Sequence, residues 1–208
     1  MMNITRVVCG TYAENAYLIC PERGAHCLLI DPGDDLSALN AAIADSGRKL
    51  AAILLTHAHF DHTLAAKPLA EAWSVPIYLH AADAEMLCDP GKNAYPGAPV
   101  ANLPCPAGLS PRPYPENVFP LEGISFRILH TPGHTKGGVC LYCEAEKIVF
   151  SGDTLFADGF GRMDLYGGSH KQMRVSLRML LSLPEDVRLL PGHGGETTIG
   201  AVRGKYLR

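Results

Sequence analysis

Short apolar runs alternate with turn residues through the first thirty positions. Residues 4–8, 15–20 and 26–30 have strand character, and Gly10-Thr11 and Pro21-Glu22-Arg23-Gly24 punctuate them. After Asp34 and Asp35 the period changes. Leu36, Leu39 and Ile43 recur at helical spacing, the two acids suit a helix N-terminus, and Gly47 supplies a stop after Ser46. Leu50 to Leu55 is continuous and apolar with no helical stripe, which predicts a buried strand. A second helix is expected over about 64–73, starting late because of Pro68. A strand at 77–79 and one or two helical turns over 81–88 follow.

Strand patterns return at 124–129, 138–143 and 147–150, the last two joined by a polar turn at 144–146. Ser169 and Gln172 form a capping-box pattern. Met173, Leu177, Leu180 and Leu181 carry a helical stripe from there to about Leu183, and 187–190 is a last strand. This order predicts an α+β fold of two mixed sheets that face each other, with helices outside. Residues 90–120 hold nine prolines and little periodicity. A loop of that length is either a Pro-stiffened lid or wall beside a site, or a surface insertion.

Composition narrows the class. The chain has 208 residues, 47% of them hydrophobic and 19% charged, enough to bury a sizeable core in one large domain or two small ones. A net charge of −3 with scattered Arg and Lys gives no footprint for nucleic acid. No signal-peptide pattern opens the sequence and no apolar stretch reaches membrane-spanning length. Seven cysteines, an odd count, point to reduced thiols in the cytoplasm rather than a disulfide framework. Cys140 and Cys143 share a predicted strand and face opposite ways, so they are expected to be core thiols and not a zinc pair.

The chemistry is concentrated directly after the strand that ends at Leu55. Thr56-His57-Ala58-His59-Phe60-Asp61-His62 places three imidazoles and a carboxylate in six residues. His57 and His59 point the same way in extended backbone. One divalent metal, or a pair of them, explains the grouping. Three further strand ends carry a ligand-type residue in a Gly-containing turn: Pro132-Gly133-His134, Ser151-Gly152-Asp153 and Pro191-Gly192-His193. His57, His59 and His134 could hold one metal. Asp61, His62 and His193 could hold a second, and Asp153 could bridge them. Asp31, before Pro32-Gly33, is expected to serve turn chemistry by accepting backbone hydrogen bonds, in preference to the alternative of a carboxylate that supports the metal residues from behind. His26, His80, His130 and His170 lie outside this set. His80 and His130 are expected to be hydrogen-bonded structural residues.

The pattern His-x-His-x-Asp-His, Gly-His, Gly-Asp, Gly-His resembles the metallo-β-lactamase superfamily over nearly the whole chain. The resemblance implies a four-layer αββα sandwich with metals at one sheet edge. Thr131-Pro132-Gly133-His134-Thr135, Ser151-Gly152-Asp153-Thr154-Leu155-Phe156, Gly161-Arg162-Met163-Asp164 and Leu190-Pro191-Gly192-His193-Gly194 are similar to the glyoxalase II branch, the hydroxyacylglutathione hydrolases and their short bacterial relatives. What that implies is hydrolysis of a small thioester by metal-bound hydroxide, oriented by Asp61 and Asp153. The cofactors would be two divalent ions, zinc first, with iron or manganese as alternatives. The expected partner is the small-molecule substrate, with neither nucleic acid nor membrane.

Residues 1–208 are expected to form a single domain of this type, without the C-terminal helical domain that grips glutathione in full-length glyoxalase II. Arg162, Lys171, Arg203 and Lys205 are the candidate anion contacts, and Arg162 is expected to pair with Asp164 at the rim. Other readings share the motifs. An iron persulfide dioxygenase would use His57, His134 and Asp153, and a lactone or ester hydrolase would keep the whole set. A flavin-linked diiron reductase would replace His59 with Glu, a secreted β-lactamase would need a signal peptide, and a nuclease would need a basic groove. A non-catalytic binding module would be missing a ligand, and none is missing.

Overall fold

A computed structural model describes residues 2–95, 110–116 and 118–206. The first sheet is built from the N-terminal half: β1 (Met2–Cys9), β2 (Glu14–Pro21), β3 (His26–Ile30), β4 (Lys49–Leu54) and β5 (Ile77–Tyr78), in that spatial order. β1–β2 and β2–β3 pair antiparallel, whereas β3–β4 and β4–β5 pair parallel. The parallel pairings need crossovers. Helices α1 (Leu36–Asp45) and α2 (Ala66–Trp73) supply them. Asp35 caps α1, its Oδ1 accepting from Ala38 N at 2.9 Å.

The second sheet takes the C-terminal half: β6 (Val118–Leu121), β7 (Ile124–His130), β8 (Val139–Cys143), β9 (Ile148–Gly152), β10 (Arg188–Pro191) and β11 (Thr197–Thr198). Its spatial order is β11-β10-β9-β8-β7-β6, with only β9–β10 parallel. The crossover between them is α3 (His170–Leu181), capped by Ser169 as the Ser-x-x-Gln pattern predicts. α4 (Ile199–Tyr206) follows β11.

Strand alternation creates three apolar layers. On β2 and β3, Leu18, Cys20, Cys27 and Leu29 face α1 and α2 with Leu39, Ile43 and Leu69. Their neighbours Tyr17, Ile19, Leu28 and Ile30 face Phe126, Leu141, Phe150 and Leu190 of the second sheet. The outer face of that sheet, with Cys140, Tyr142, Val149 and Leu189, packs on Met173, Leu177, Leu180 and Val202 of α3 and α4. The result is the helix–sheet–sheet–helix sandwich expected from sequence. Cys140 belongs to one layer and Cys143 to another, as period-two alternation requires.

Three elements escaped the sequence pattern. β6 and β11 are too short to show alternation. α4 has an indistinct stripe interrupted by Gly200 and Gly204, and is held by tertiary bonds instead. Arg203 donates to Leu181 O (2.9 Å) and Leu183 O (2.5 Å) and pairs with Glu185. Lys205 donates to Ala157 O at 2.9 Å and pairs with Asp158. Both cations, considered above as anion contacts, are engaged in tying α4 down.

The expectation of a lid over 90–120 lies partly outside the described residues. The described piece at 110–116 runs beside β5. Arg112 N donates to Ile77 O (2.8 Å), Leu79 N donates to Arg112 O (3.1 Å), and Tyr114 OH reaches Leu55 O (3.1 Å). It therefore covers the sheet edge next to the strand that carries the histidine cluster. Among the described residues, no helix is long and apolar enough to cross a membrane.

The thiols allow a first prediction. Cys9, Cys27 and Cys140 are buried, and burial pushes each thiol up to about 11. Only the thiolate alkylates, so at pH 8 roughly one molecule in a thousand is reactive at each of them. Iodoacetamide at pH 8 is expected to modify exposed Cys88 and spare these three, with their rate rising about tenfold per pH unit towards 11. Peptide mapping by mass spectrometry reads the result. Labelling of Cys140 as fast as Cys88 at pH 8 would contradict the packing described.

Candidate metal centre

Every group in the candidate site stands just beyond the C-terminal end of a strand. β4 leads into Thr56–His62, β7 into His134, β9 into Asp153 and β10 into His193. Extended backbone through His59 (φ −70°, ψ 148°) gives way to a 3₁₀ turn at Phe60–His62, which swings Asp61 and His62 away from His57 and His59. Gly152 adopts φ +48° immediately before Asp153. A Cβ on Gly152 would lie 2.3 Å from Thr56 Oγ1, so glycine is required where the two strand ends meet.

The predicted residues converge in two groups. The ring nitrogens of His57, His59 and His134 form one possible set of metal-holding atoms, and Asp61, His62 and His193 form another; Asp31, His57 and His62 form a third that overlaps both the first and the second. Asp153 lies between them: Oδ2 is 3.5 Å from His134 Nε2 and 3.6 Å from His193 Nε2, while Oδ1 is 3.4 Å from His62 Nε2.

Hydrogen-bond accounting shows that this geometry suits cations. Thr56 Oγ1 gives its one proton to Asp31 Oδ2 (2.6 Å), so the His57 Nδ1–H, 3.0 Å away, donates to Thr56. His62 Nδ1 donates to Asp31 Oδ2 (3.1 Å), His134 Nδ1 to Arg162 O (2.7 Å) and His193 Nδ1 to Tyr12 O (3.1 Å). Those tautomers are assigned from the partners. Each leaves Nε2 directed inward, the arrangement that outer hydrogen bonds impose on metal-ligating histidines. His59 instead turns Nδ1 inward, 2.8 Å from His134 Nε2. His62 Nε2 and His193 Nε2 face each other at 3.3 Å. Facing nitrogens at these separations need a positive centre between them, a shared proton or a cation in its place. Buried His57 Nε2 and Asp153 Oδ1 have no hydrogen-bond partner, which fits the same demand.

The electrostatics divide the two groups. Burial, reinforced by neighbouring histidines, holds His57 well below the usual imidazole range. Burial and His134 lower His59 to about 3. Both are neutral at physiological pH, ready to act as ligands. In the other group burial opposes protonation of His62, but Asp153 and Asp61 outweigh it and raise the group well above its ordinary value. Burial likewise works to raise Asp61 and Asp153, yet facing histidines bring both carboxyls below the normal range.

Asp31 corrects the expectation of simple turn chemistry. It is 1% exposed and its φ is +46°. Its carboxylate accepts from Thr56 N (2.7 Å), Thr56 Oγ1 (2.6 Å) and His62 Nδ1 (3.1 Å). The cause is the parallel pairing of β3 with β4, which brings the end of one strand against the end of the next. Asp31 therefore supports ligands from behind. Arg162 forms the predicted ion pair, Nε to Asp164 Oδ1 at 2.8 Å and Nη2 to Oδ2 at 2.6 Å, with both side chains exposed. Its carbonyl, not its guanidinium, touches the centre through His134. His80 and His130 stack at 4.2 Å and bond to main chain, as structural residues.

Glu14 was not singled out by the sequence. It is fully buried at the start of β2, 3.7 Å from His62 Nδ1, and neither oxygen has a hydrogen-bond partner. An acid beginning an otherwise apolar strand was the available signal. Asn15 beside it clamps the last ligand turn, with Nδ2 donating to Pro191 O and Gly194 O, both at 2.9 Å.

Two facing mixed sheets with a paired His/Asp centre at one edge define the class of αββα metallo-hydrolases. The family model described as the metallo-beta-lactamase superfamily matches residues 9–193. The chain belongs to that superfamily. It is similar to a protein named hydroxyacylglutathione hydrolase GloC from Haemophilus influenzae, 32% identical over 96% of this chain and 94% of the relative. Among solved structures it is similar to the BLEG-1 B3 metallo-beta-lactamase, with a TM-score of 0.88 and 34% identity over 98% of this chain and 97% of the other. It is also similar to TTHA1623 in a di-iron-bound form, with a TM-score of 0.82 and 44% identity over 95% and 96% of the two chains.

Proposed function

We propose that this protein is a two-metal thioester hydrolase of the glyoxalase II type, acting on a small hydroxyacyl or acyl thioester. The observation that carries the reading is the inward convergence of imidazole nitrogens in two sets, with Asp153 between them. His57, His59 and His134 would hold one divalent ion and Asp61, His62 and His193 the other, with Asp153 shared. Zinc suits the nitrogen-rich set, and the di-iron form of TTHA1623 makes iron the alternative. When bound, such ions lower the pKa of a water towards neutrality and polarise a carbonyl oxygen.

The remaining work falls to the chain. Asp61 and Asp153 are carboxylates at neutral pH, held so by His62 and His193 or His134, and can each accept an O–H bond from the attacking water to orient it. Asp31, Thr56, Arg162 O and Tyr12 O keep four imidazoles in fixed tautomers. Hydrolysis breaks the C–S bond, forms a C–O bond and releases a thiol and an acid. The name of the GloC relative supports a glutathione thioester as the first substrate to try.

Zinc-, iron- and manganese-loaded protein is expected to turn over S-lactoylglutathione or a simpler acyl thioester. If every thioester in such a panel is left intact, the reading fails. Similarity to BLEG-1 favours a second reading, β-lactam hydrolysis at the same centre, and turnover of nitrocefin in place of the thioesters would establish it.

A further inference from the structure

Glu14 poses a physical problem that its surroundings resolve. A buried carboxyl without a partner is costly, so what it faces decides its role. It faces the rear of His62, with Oε1 3.7 Å from Nδ1 on the side where Asp31 Oδ2 stands at 3.1 Å. Asp31 Oδ2 is already shared with the Thr56 hydroxyl, so Glu14 stands as a second carboxyl group behind the His62 N–H; burial raises it well above its ordinary range, and His62 pulls the other way. Backbone holds it there. Glu14 makes an isolated antiparallel bridge to His193, and Asn15 N donates to Gly192 O at 2.7 Å. Gly33 leaves the space, since a Cβ on it would lie 2.5 Å from Glu14 Oε2 and 2.6 Å from Asp61 O. Glu14 is thus enclosed by the elements that carry Asp61, His62 and His193. Among the described residues, no hydrogen bond or ion pair joins it to His57, His59 or His134.

We infer that Glu14 is a positioning residue for one half of the centre only: with Asp31 it backs His62 and sets how tightly the Asp61–His62–His193 set holds its cation. This rests on the two-metal arrangement proposed above. A carboxylate behind a ligating imidazole fixes the ring and raises its basicity, and loss of such a group weakens metal binding by about 10–100-fold. A purely space-filling role would make no distinction between the acid and an isosteric amide.

Glu14→Gln makes that comparison. Zinc is titrated into metal-free protein against a chromophoric chelator, and cobalt(II) spectra are taken at one and two equivalents. The first equivalent is expected to bind as in the native chain. The second is expected to weaken by about tenfold or more, with its cobalt band delayed to higher metal concentration. A second equivalent as tight as in the native chain overturns the assignment, and so does equal weakening of both. If the amide prevents folding, as read by circular dichroism, Glu14→Asp keeps the carboxyl group but withdraws it by one methylene. A weaker second equivalent is again expected, and an unchanged one overturns the role. Native protein that binds a single equivalent removes the two-metal arrangement itself, and the role of Glu14 with it. Thioester turnover enters none of these readings, so the substrate proposal can fail separately.

Discussion

Asp61→Ala is expected to retain one divalent ion where the native chain retains two, and to lose thioester turnover by about 10²–10³-fold in kcat. That is the scale on which one preorganised electrostatic group acts. Asp61 Oδ2 lies 3.3 Å from His193 Nε2 and 3.8 Å from His62 Nε2, so its removal falls on their half of the centre. His57, His59 and His134 form the other set without it. Elemental analysis after dialysis counts the ions, and single-turnover kinetics separate the chemical step from binding. Two ions retained with unchanged kcat would show that Asp61 neither binds metal nor orients water.

The second large effect is expected on stability. Asp31→Ala leaves the Thr56 N–H, the Thr56 hydroxyl and the His62 Nδ1–H without their acceptor at a position 1% exposed. Breaking a buried charged network on one side costs about 3–5 kcal/mol. Urea unfolding of the metal-free protein is expected to show that loss. Asp31→Asn is expected to be milder. Asparagine tolerates the φ of +46°, and its carbonyl keeps one acceptor, but its NH₂ then opposes the donors it meets. Equal stability of the alanine variant and the native chain would contradict the network.

The two positions differ in how plainly the sequence declared them. Asp61 lies in a local cluster whose spacing alone implied a metal, and the Gly-His and Gly-Asp turns announced the distant partners. Strands such as β2 and β3 and helix α1 were equally legible, because alternation and the Asp35 cap are local signals. Asp31 and Glu14 were not, because their roles come from pairing across the fold. One depends on β3 lying beside β4, the other on the bridge from Glu14 to His193. A Pro-Gly turn after Asp31 invited a local explanation that the tertiary contact overrides. α4 was hidden for a related reason: Arg203, not an apolar stripe, secures it.

Each sheet is drawn from one contiguous half of the chain, and each half of the centre takes two groups from the first and one from the second. During synthesis the N-terminal sheet emerges with His57, His59, Asp61 and His62 in place but with neither set complete. A nascent or truncated chain that ends before β7 lacks His134 and His193 and closes neither set, but it already holds Asp31, His57 and His62, a third group that could hold an ion, so the number of ions retained, not retention itself, is the readout that both halves have been made and have docked.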